Sequence, residues 1–367
     1  MASRPLLTAL LKDVSRSFYL TLRVLPGSIR PQIGLAYLLA RTTDTIADTE
    51  LVPVEQRLIA LRNLRGRILG TSVTALSFGE LARQQGSPAE RVLLEKVEES
   101  LAVLSGLAAD DLKLVRQVLD TITSGQELDL RRFGGWGETT GEPTLAKVMA
   151  REDARPTAKK IIALQNDAEL DDYTYRVAGC VGEFWTKICR AHLFPTARLD
   201  DTRLLADGVR FGKGLQLVNI LRDLPADLRK GRCYLPEETL SEAGLQPGDL
   251  LQPSNEKKFR PFYDRYLDLA EAHLAAGWAY TNALPWRCVR VRLACAWPIL
   301  IGVETIARLH VANVLDPQQR VKISRTEVRG LIARSVLCYP FPGVWRRQLA
   351  LPVSASGKAV ASGRNLT

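Results

Sequence analysis

The stretch GKGLQLVNILRDLPADLRKGRCYLP (212–236) carries the pattern that decides the fold. Gln216, Asn219, Asp223 and Asp227 follow one another at steps of three, four and four residues. Such steps return to nearly the same side of an α-helix, so the four polar groups form one stripe. Leu215, Leu217, Val218, Ile220 and Leu221 supply the remaining surface. A helix this apolar buries itself, and its polar stripe then lines a cavity or meets water. Pro225 is expected to kink or end the last turn and so to re-aim Asp227.

A second stretch, LLARTTDTIADTE (38–50), places Asp44 and Asp48 four residues apart at the end of another apolar helical run. Two like charges at that spacing cost about 0.2–0.5 kcal/mol when nothing lies between them. For one such pair a solvated face is the ordinary reading. The presence of two pairs, with 175 residues from Asp48 to Asp223, fits two acidic faces opposed across the cavity of a helical bundle. Hard divalent cations take carboxylate oxygens, and Mg2+ completes its octahedron with phosphate oxygens and water. Arg16, Arg41, Arg222, Arg229, Lys230 and Arg232 stand close in sequence to the acidic groups and can grip phosphate oxygens. Acids mixed with arginines in an apolar helical chain point to the departure of diphosphate from a greasy substrate.

The rest of the chain fits an all-α protein. Apolar residues recur at helical spacing over 5–22, 30–47, 54–69, 90–105, 109–129, 170–192, 201–226, 258–282, 288–312 and 325–338, and no segment alternates as a strand would. Pro and Gly collect at 25–31, 133–143, 235–249 and 339–343 without forming an interdomain linker. One domain is therefore expected over 1–345, with an irregular tract at 133–168 as a mobile loop and a polar, flexible tail over 346–367. Among 367 residues, 46% are hydrophobic and 25% charged, which disfavours disorder. A formal charge of +10 suits anionic partners without choosing among nucleic acid, phosphorylated metabolites and lipid.

Six cysteines show no CxxC pair, and His192, His273 and His310 lack metal-ligand spacing, which leaves them as surface or satisfied core residues. No GxSxG and no strand-borne GxGxxG occurs. No apolar stretch reaches the roughly 18 residues of a spanning helix, and no signal peptide opens the chain, so a cytoplasmic protein, soluble or peripheral to the inner membrane face, is expected. Arg287, Arg290 and Arg292 form a basic row that reads as a solvated helix edge or as a contact for nucleic acid or lipid. A non-catalytic basic helical binding protein is the rival from another class. It would need Lys and Arg stripes with interleaved aromatics, whereas the strongest polar stripes are acidic, so no nucleic acid partner is expected.

Four blocks, SRSFYL (15–20), ARTTDTIAD (40–48), YTYRVAGCVGEFW (173–185) and QLVNILRDLPADLRKGRCYLP (216–236), resemble in order and spacing those of the squalene and phytoene synthases, the head-to-head trans-isoprenyl diphosphate synthases. The resemblance covers roughly residues 10–345 and implies an isoprenoid synthase helical bundle around a central cavity. It implies that Asp44, Asp48, Asn219, Asp223 and Asp227 hold Mg2+, and that Ser15, Arg16, Tyr37, Arg41, Gln216, Asn219, Arg222 and Arg232 contact diphosphate or support the metal. Tyr173 looks like the family's tyrosine for proton handling; on its own it reads as a packing tyrosine. Ala178, Gly179 and Gly182 either let a prenyl chain approach the helix or serve helix packing.

The segment VLDPQQRVKISRTEV (314–328) resembles the squalene synthase run associated with NADPH, which implies Lys322 and Arg325 at its 2′-phosphate. The implied reaction joins two farnesyl diphosphates to presqualene diphosphate and reduces it with NADPH to squalene. Proton loss in place of reduction gives phytoene or dehydrosqualene.

Overall fold

A computed structural model of the chain describes residues 10–14, 18–134 and 161–349. Ser15, Arg16, most of the tract 133–168 and the tail from 350 onward lie outside these residues.

The helices that build the bundle and its site are α1 (Arg30–Asp48), α2 (Val54–Leu69), α3 (Ala109–Phe133), α4 (Asp167–Thr174), α5 (Cys180–Leu193), α6 (Asp201–Arg229), α7 (Glu256–Ala283), α8 (Val289–Leu309) and α9 (Arg325–Cys338). Shorter helices include Phe18–Val24, Pro88–Glu95 and Val97–Ser105, the last two dividing at Lys96 the run expected over 90–105. Among the described residues two strands also form, β1 (Ile162–Leu164) and β2 (Arg232–Pro236), contrary to the reading of a chain without strands. They pair in parallel with Ile162 opposite Arg232 and an irregularity between Ala163 and Leu164. Strands of three and five residues, with partners 70 to 72 positions apart, are too short for alternation to show in sequence.

Helix α6 is the axis of the bundle, packing against α5, α7 and α8, while α3 packs on α1, α2 and α5. Leu217, Val218, Ile220, Leu221 and Leu224 of α6 are buried, each worth about 1.5–3 kcal/mol relative to exposure. The α5–α6 contact is set by glycines: a Cβ on Gly182 would lie 1.9 Å from the Gly208 carbonyl oxygen, and one on Gly212 would lie 2.2 Å from that of Ala178. The small residues of VAGCVG thus serve the close approach of two helix backbones. Between α4 and α5 the chain takes a π-helical turn over Tyr175–Gly179, which widens the helix where Gly125 of α3 meets Arg176 and Val177.

Pro225 neither ends nor breaks α6, which runs on to Arg229. Proline removes the N–H that would bond the carbonyl four residues back, that of Leu221. The buried Tyr263 hydroxyl of α7 donates to that oxygen at 3.0 Å and satisfies it. Past Arg229 the chain turns through Gly231, at φ 79°, a left-handed conformation that favours glycine at a helix end, and enters β2. Arg292 corrects the reading of a basic row. Arg287 and Arg290 are exposed, but Arg292 is buried, donates to the Asn282 and Leu284 carbonyls at 3.1 and 2.7 Å, and lies 4.7 Å from the Trp286 ring centre. It ties the α7–α8 corner together.

Candidate active site

Asp44 and Asp48 occupy the last two turns of α1, and a cavity of about 370 Å³ opens beside them. Gln126 and Asp129 reach it from α3, Tyr173 from α4, Gln216 from α6, and Arg232 with Tyr234 from β2. The strand explains the last pair, because alternate residues of a strand share a face: Arg232 and Tyr234 turn to the cavity while Cys233 and Leu235 are buried. Gln126 donates to Asp44, and Tyr234 donates to Asp129 at 2.9 Å with its ring stacked on Tyr173 at 4.6 Å. Arg232 stands 3.8 Å from the same Asp129 oxygen, and Arg41 bridges Asp44, at 3.9 Å, and Glu90.

Burial pushes the Asp44 carboxyl up to about 6, with Asp48 adding to the effect and Arg41 and Gln126 opposing it. Asp129 is also raised to about 6 by burial, against Tyr234 and Arg232. Asp227 is raised to about 6 by burial and then by Asp223, against Arg232 and Lys230. Burial raises Asp48 too, against Arg232. The Tyr173 hydroxyl is pushed far above its ordinary range, by burial and then by the Asp129 charge, so it holds its proton.

On the other flank of α6 a larger cavity of about 1030 Å³ opens, at the upper end of the about 300–1,000 Å³ of small-molecule pockets. Asn219, Arg222 and Asp223 line it, with Arg222 donating to Asp223 at 2.6 and 2.9 Å. Leu20, Leu215, Val218, Trp297, Pro298 and Ile301 make much of its wall apolar, and Arg320 and Lys322 join the lining.

Helix geometry explains why one stripe serves two cavities. At 100° per residue Asn219 lies about 60° from Gln216, and the later steps of four swing back by about 40° each, bringing Asp227 round toward the Gln216 side. Gln216 joins the smaller cavity and Asn219 and Asp223 the larger, while Asp227 lines neither and interacts electrostatically with Asp129 and Arg232 as well as Asp223.

Tyr37 donates to the Val14 carbonyl at 3.5 Å, and it lies in the lining of neither cavity. Lys322 lines the larger cavity; Arg325 is exposed at the start of α9 and does not. Sequence reading missed Gln126, Asp129, Tyr234 and Arg320. His192 meets Asp111 at 2.7 Å, and His273 accepts from Arg210 at 3.4 Å with its pKa lowered to about 4 by burial and then by Arg210 and Lys213.

The donor set fits a hard divalent cation. The carboxyls of Asp44, Asp48, Asp129 and Asp227 are all raised, chiefly by desolvation, although Asp48 is exposed and Asp44 half-exposed, and a buried Asp129 oxygen has no hydrogen-bond partner. Carboxylates desolvated together in this way favour a positive charge among them.

The architecture is the all-α helical bundle typical of isoprenoid synthases, here carrying a small parallel strand pair. The squalene/phytoene synthase family model matches residues 11–327, and the chain belongs to that family. It is 29% identical, over 71% of its length, to a bifunctional lycopene cyclase/phytoene synthase of Gibberella fujikuroi, of which the match covers 40%. It is 26% identical to a squalene synthase of Schizosaccharomyces pombe, over 89% of this chain and 64% of that one. The chain thus spans about 40% to 64% of the length of these curated relatives. Among solved structures, a ligand complex of TcSQS superposes with a TM-score of 0.70 at 20% identity, over 96% of this chain and 92% of that one. No helix among the described residues is long and apolar enough to cross a membrane.

Proposed function

We propose that the chain is a squalene synthase, joining two farnesyl diphosphates head to head into presqualene diphosphate and reducing it with NADPH to squalene. The observation that carries this reading is the meeting of carboxylates and Arg232 from α1, α3 and β2 around the cavity of about 370 Å³, with Asn219, Arg222 and Asp223 of α6 lining the larger, mainly apolar cavity of about 1030 Å³. Asp44, Asp48, Asn219, Asp223 and Asp227 would hold Mg2+, which when bound neutralises charge on the leaving diphosphate. Arg41, Arg222 and Arg232 add fixed positive charge at phosphate oxygens, and Gln216 would contact the diphosphate or support the metal. Ser15 and Arg16 belong to the same proposal on sequence alone.

Tyr173, still protonated, donates its hydroxyl hydrogen toward a departing oxygen, and Tyr234 stacked beside it fixes the ring. The apolar wall of Val218, Trp297 and Ile301 keeps water from an allylic cation. Lys322, on the lining of the same cavity, and Arg325 beyond it would meet the NADPH phosphate. Exposed Leu337 and Phe341, with Arg346 and Arg347 close by in sequence, support peripheral contact with a membrane; a liposome flotation without a bound fraction would oppose that contact.

Incubation of the purified chain with farnesyl diphosphate and Mg2+, with and without NADPH, tests the assignment. Squalene formed only with NADPH supports it. Geranylgeranyl diphosphate converted to phytoene, or farnesyl diphosphate converted to dehydrosqualene, each without NADPH, would establish the second reading, which the similarity to a phytoene synthase favours.

A further inference from the structure

Asp264, Asp268 and Glu271 stand at steps of four and three on α7 and share one side of it. His310 caps the C-terminus of α8 directly opposite. Arg260, one turn before Asp264, binds the carbonyls of Leu309, His310 and Ala312 and so holds that helix end against α7. The imidazole is thereby fixed among the acids, with Nδ1 3.5 Å from an Asp264 oxygen and Nε2 3.5 Å from Glu271 Oε1. One ligand atom each of Asp268, Glu271 and His310 lie within 4.8 Å of one another.

Glu271 is only 8% exposed, and its Oε1, like His310 Nε2, is buried with no hydrogen-bonding group nearer than the 3.5 Å contact between the two. The nearest guanidinium, Arg260, spends itself on Asp264 at 2.8 Å, Glu256 at 3.5 Å and the helix-end carbonyls. A buried carboxylate oxygen and an imidazole nitrogen held 3.5 Å apart, beyond good hydrogen-bond range, are polar atoms that a cation between them would satisfy.

We propose that Asp268, Glu271 and His310 form a structural site for a first-row divalent transition metal of the Zn2+ class. An imidazole nitrogen selects such an ion over Mg2+ or Ca2+. Bonds of about 2.0–2.1 Å give a tetrahedral site edges of about 3.4 Å. The Glu271–His310 separation of 3.5 Å already matches. Asp268 must close the remaining gap by a rotamer change, which its exposed position permits. Asp264 then accepts from Nδ1–H and fixes the tautomer that leaves Nε2 free for the metal. A water on the exposed side completes the shell. The ion would brace the end of α8, whose Trp297, Ile301, Thr305 and Leu309 wall the larger cavity.

The competing occupant is a proton, giving an imidazolium between Asp264 and Glu271. The test is a Co2+ titration of the full chain, stripped with chelator and held in excess Mg2+, read by visible absorption and by melting temperature. The proposal expects a tetrahedral Co2+ spectrum that Zn2+ displaces, a melting temperature raised by either ion, affinity weakened about tenfold or more in Asp268→Asn, and no spectrum in His310→Gln. Asp44→Asn should leave all of this unchanged, which separates the site from the diphosphate machinery. No spectrum and no melting shift at millimolar Co2+ or Zn2+, or binding that survives in His310→Gln and vanishes in Asp44→Asn, would overturn it.

Discussion

Replacing Asp129 by Asn should stabilise the metal-free protein at neutral pH. The carboxyl is raised from 3.8 to about 6, chiefly by burial, and its side chain is 17% exposed. Between those two values the folded chain binds more protons than the unfolded one, so stability falls as pH rises through the window. The cost is absent below about pH 3.8 and complete above about pH 6. At 1.36 kcal/mol per unit this is about 3 kcal/mol at pH 7.5, and about half of that at pH 5. An unfolding entropy of about 2.1 cal/mol/K per residue converts 3 kcal/mol into about 4 °C for a chain of this length. The amide keeps an oxygen for the Tyr234 hydroxyl, so the swap removes charge and little else. Differential scanning fluorimetry of both proteins in EDTA at pH 7.5 and pH 5 measures the gap. A variant that melts lower at pH 7.5, or a gap equal at both values, would refute the reasoning.

Tyr263→Phe strands the Leu221 carbonyl and should cost about 2 kcal/mol, or about 3 °C in melting temperature. In a Pro225→Ala background the restored N–H can serve that oxygen, so the same change should cost about 1 kcal/mol less; equal costs in both backgrounds would show that the two groups are not linked. Gly182→Ala would set a methyl against the Gly208 carbonyl and should destabilise by about 3 kcal/mol, whereas Gly330→Ala, with nothing within 4 Å, should stabilise α9 by about 0.5–1 kcal/mol. Denaturant melts of the two variants check the contrast, and a tolerated Gly182→Ala would contradict the α5–α6 contact.

Much of the bundle was legible because helices this long repeat their pattern many times: α1, α2, α6, α7, α8 and α9 run within three residues of the bounds read from periodicity. The spacing of the acidic pairs was legible but not the cavity each faces: in place of one shared chamber, Asp44 and Asp48 line the smaller cavity, Asp223 lines the larger and Asp227 lines neither. Asp129 was not legible. It is a single acid in a long helix, indistinguishable in sequence from a solvated one, and only the parallel pairing of β2 with β1 brings Tyr234 and Arg232 to it. The π-helical turn at Tyr175–Gly179 also leaves no mark on apolar periodicity. His310 shows the same limit from the other side. It has no ligand-like spacing along the chain, and its acidic neighbours come from a different helix.

The most direct measurement is diphosphate release from farnesyl diphosphate by wild type, Asp44→Asn and Asp223→Asn in Mg2+, with circular dichroism and melting curves alongside. Both variants should keep the fold and lose about 100-fold or more in the first condensation. Near-normal turnover in either would contradict the assignment of these carboxylates to the metal and the leaving group.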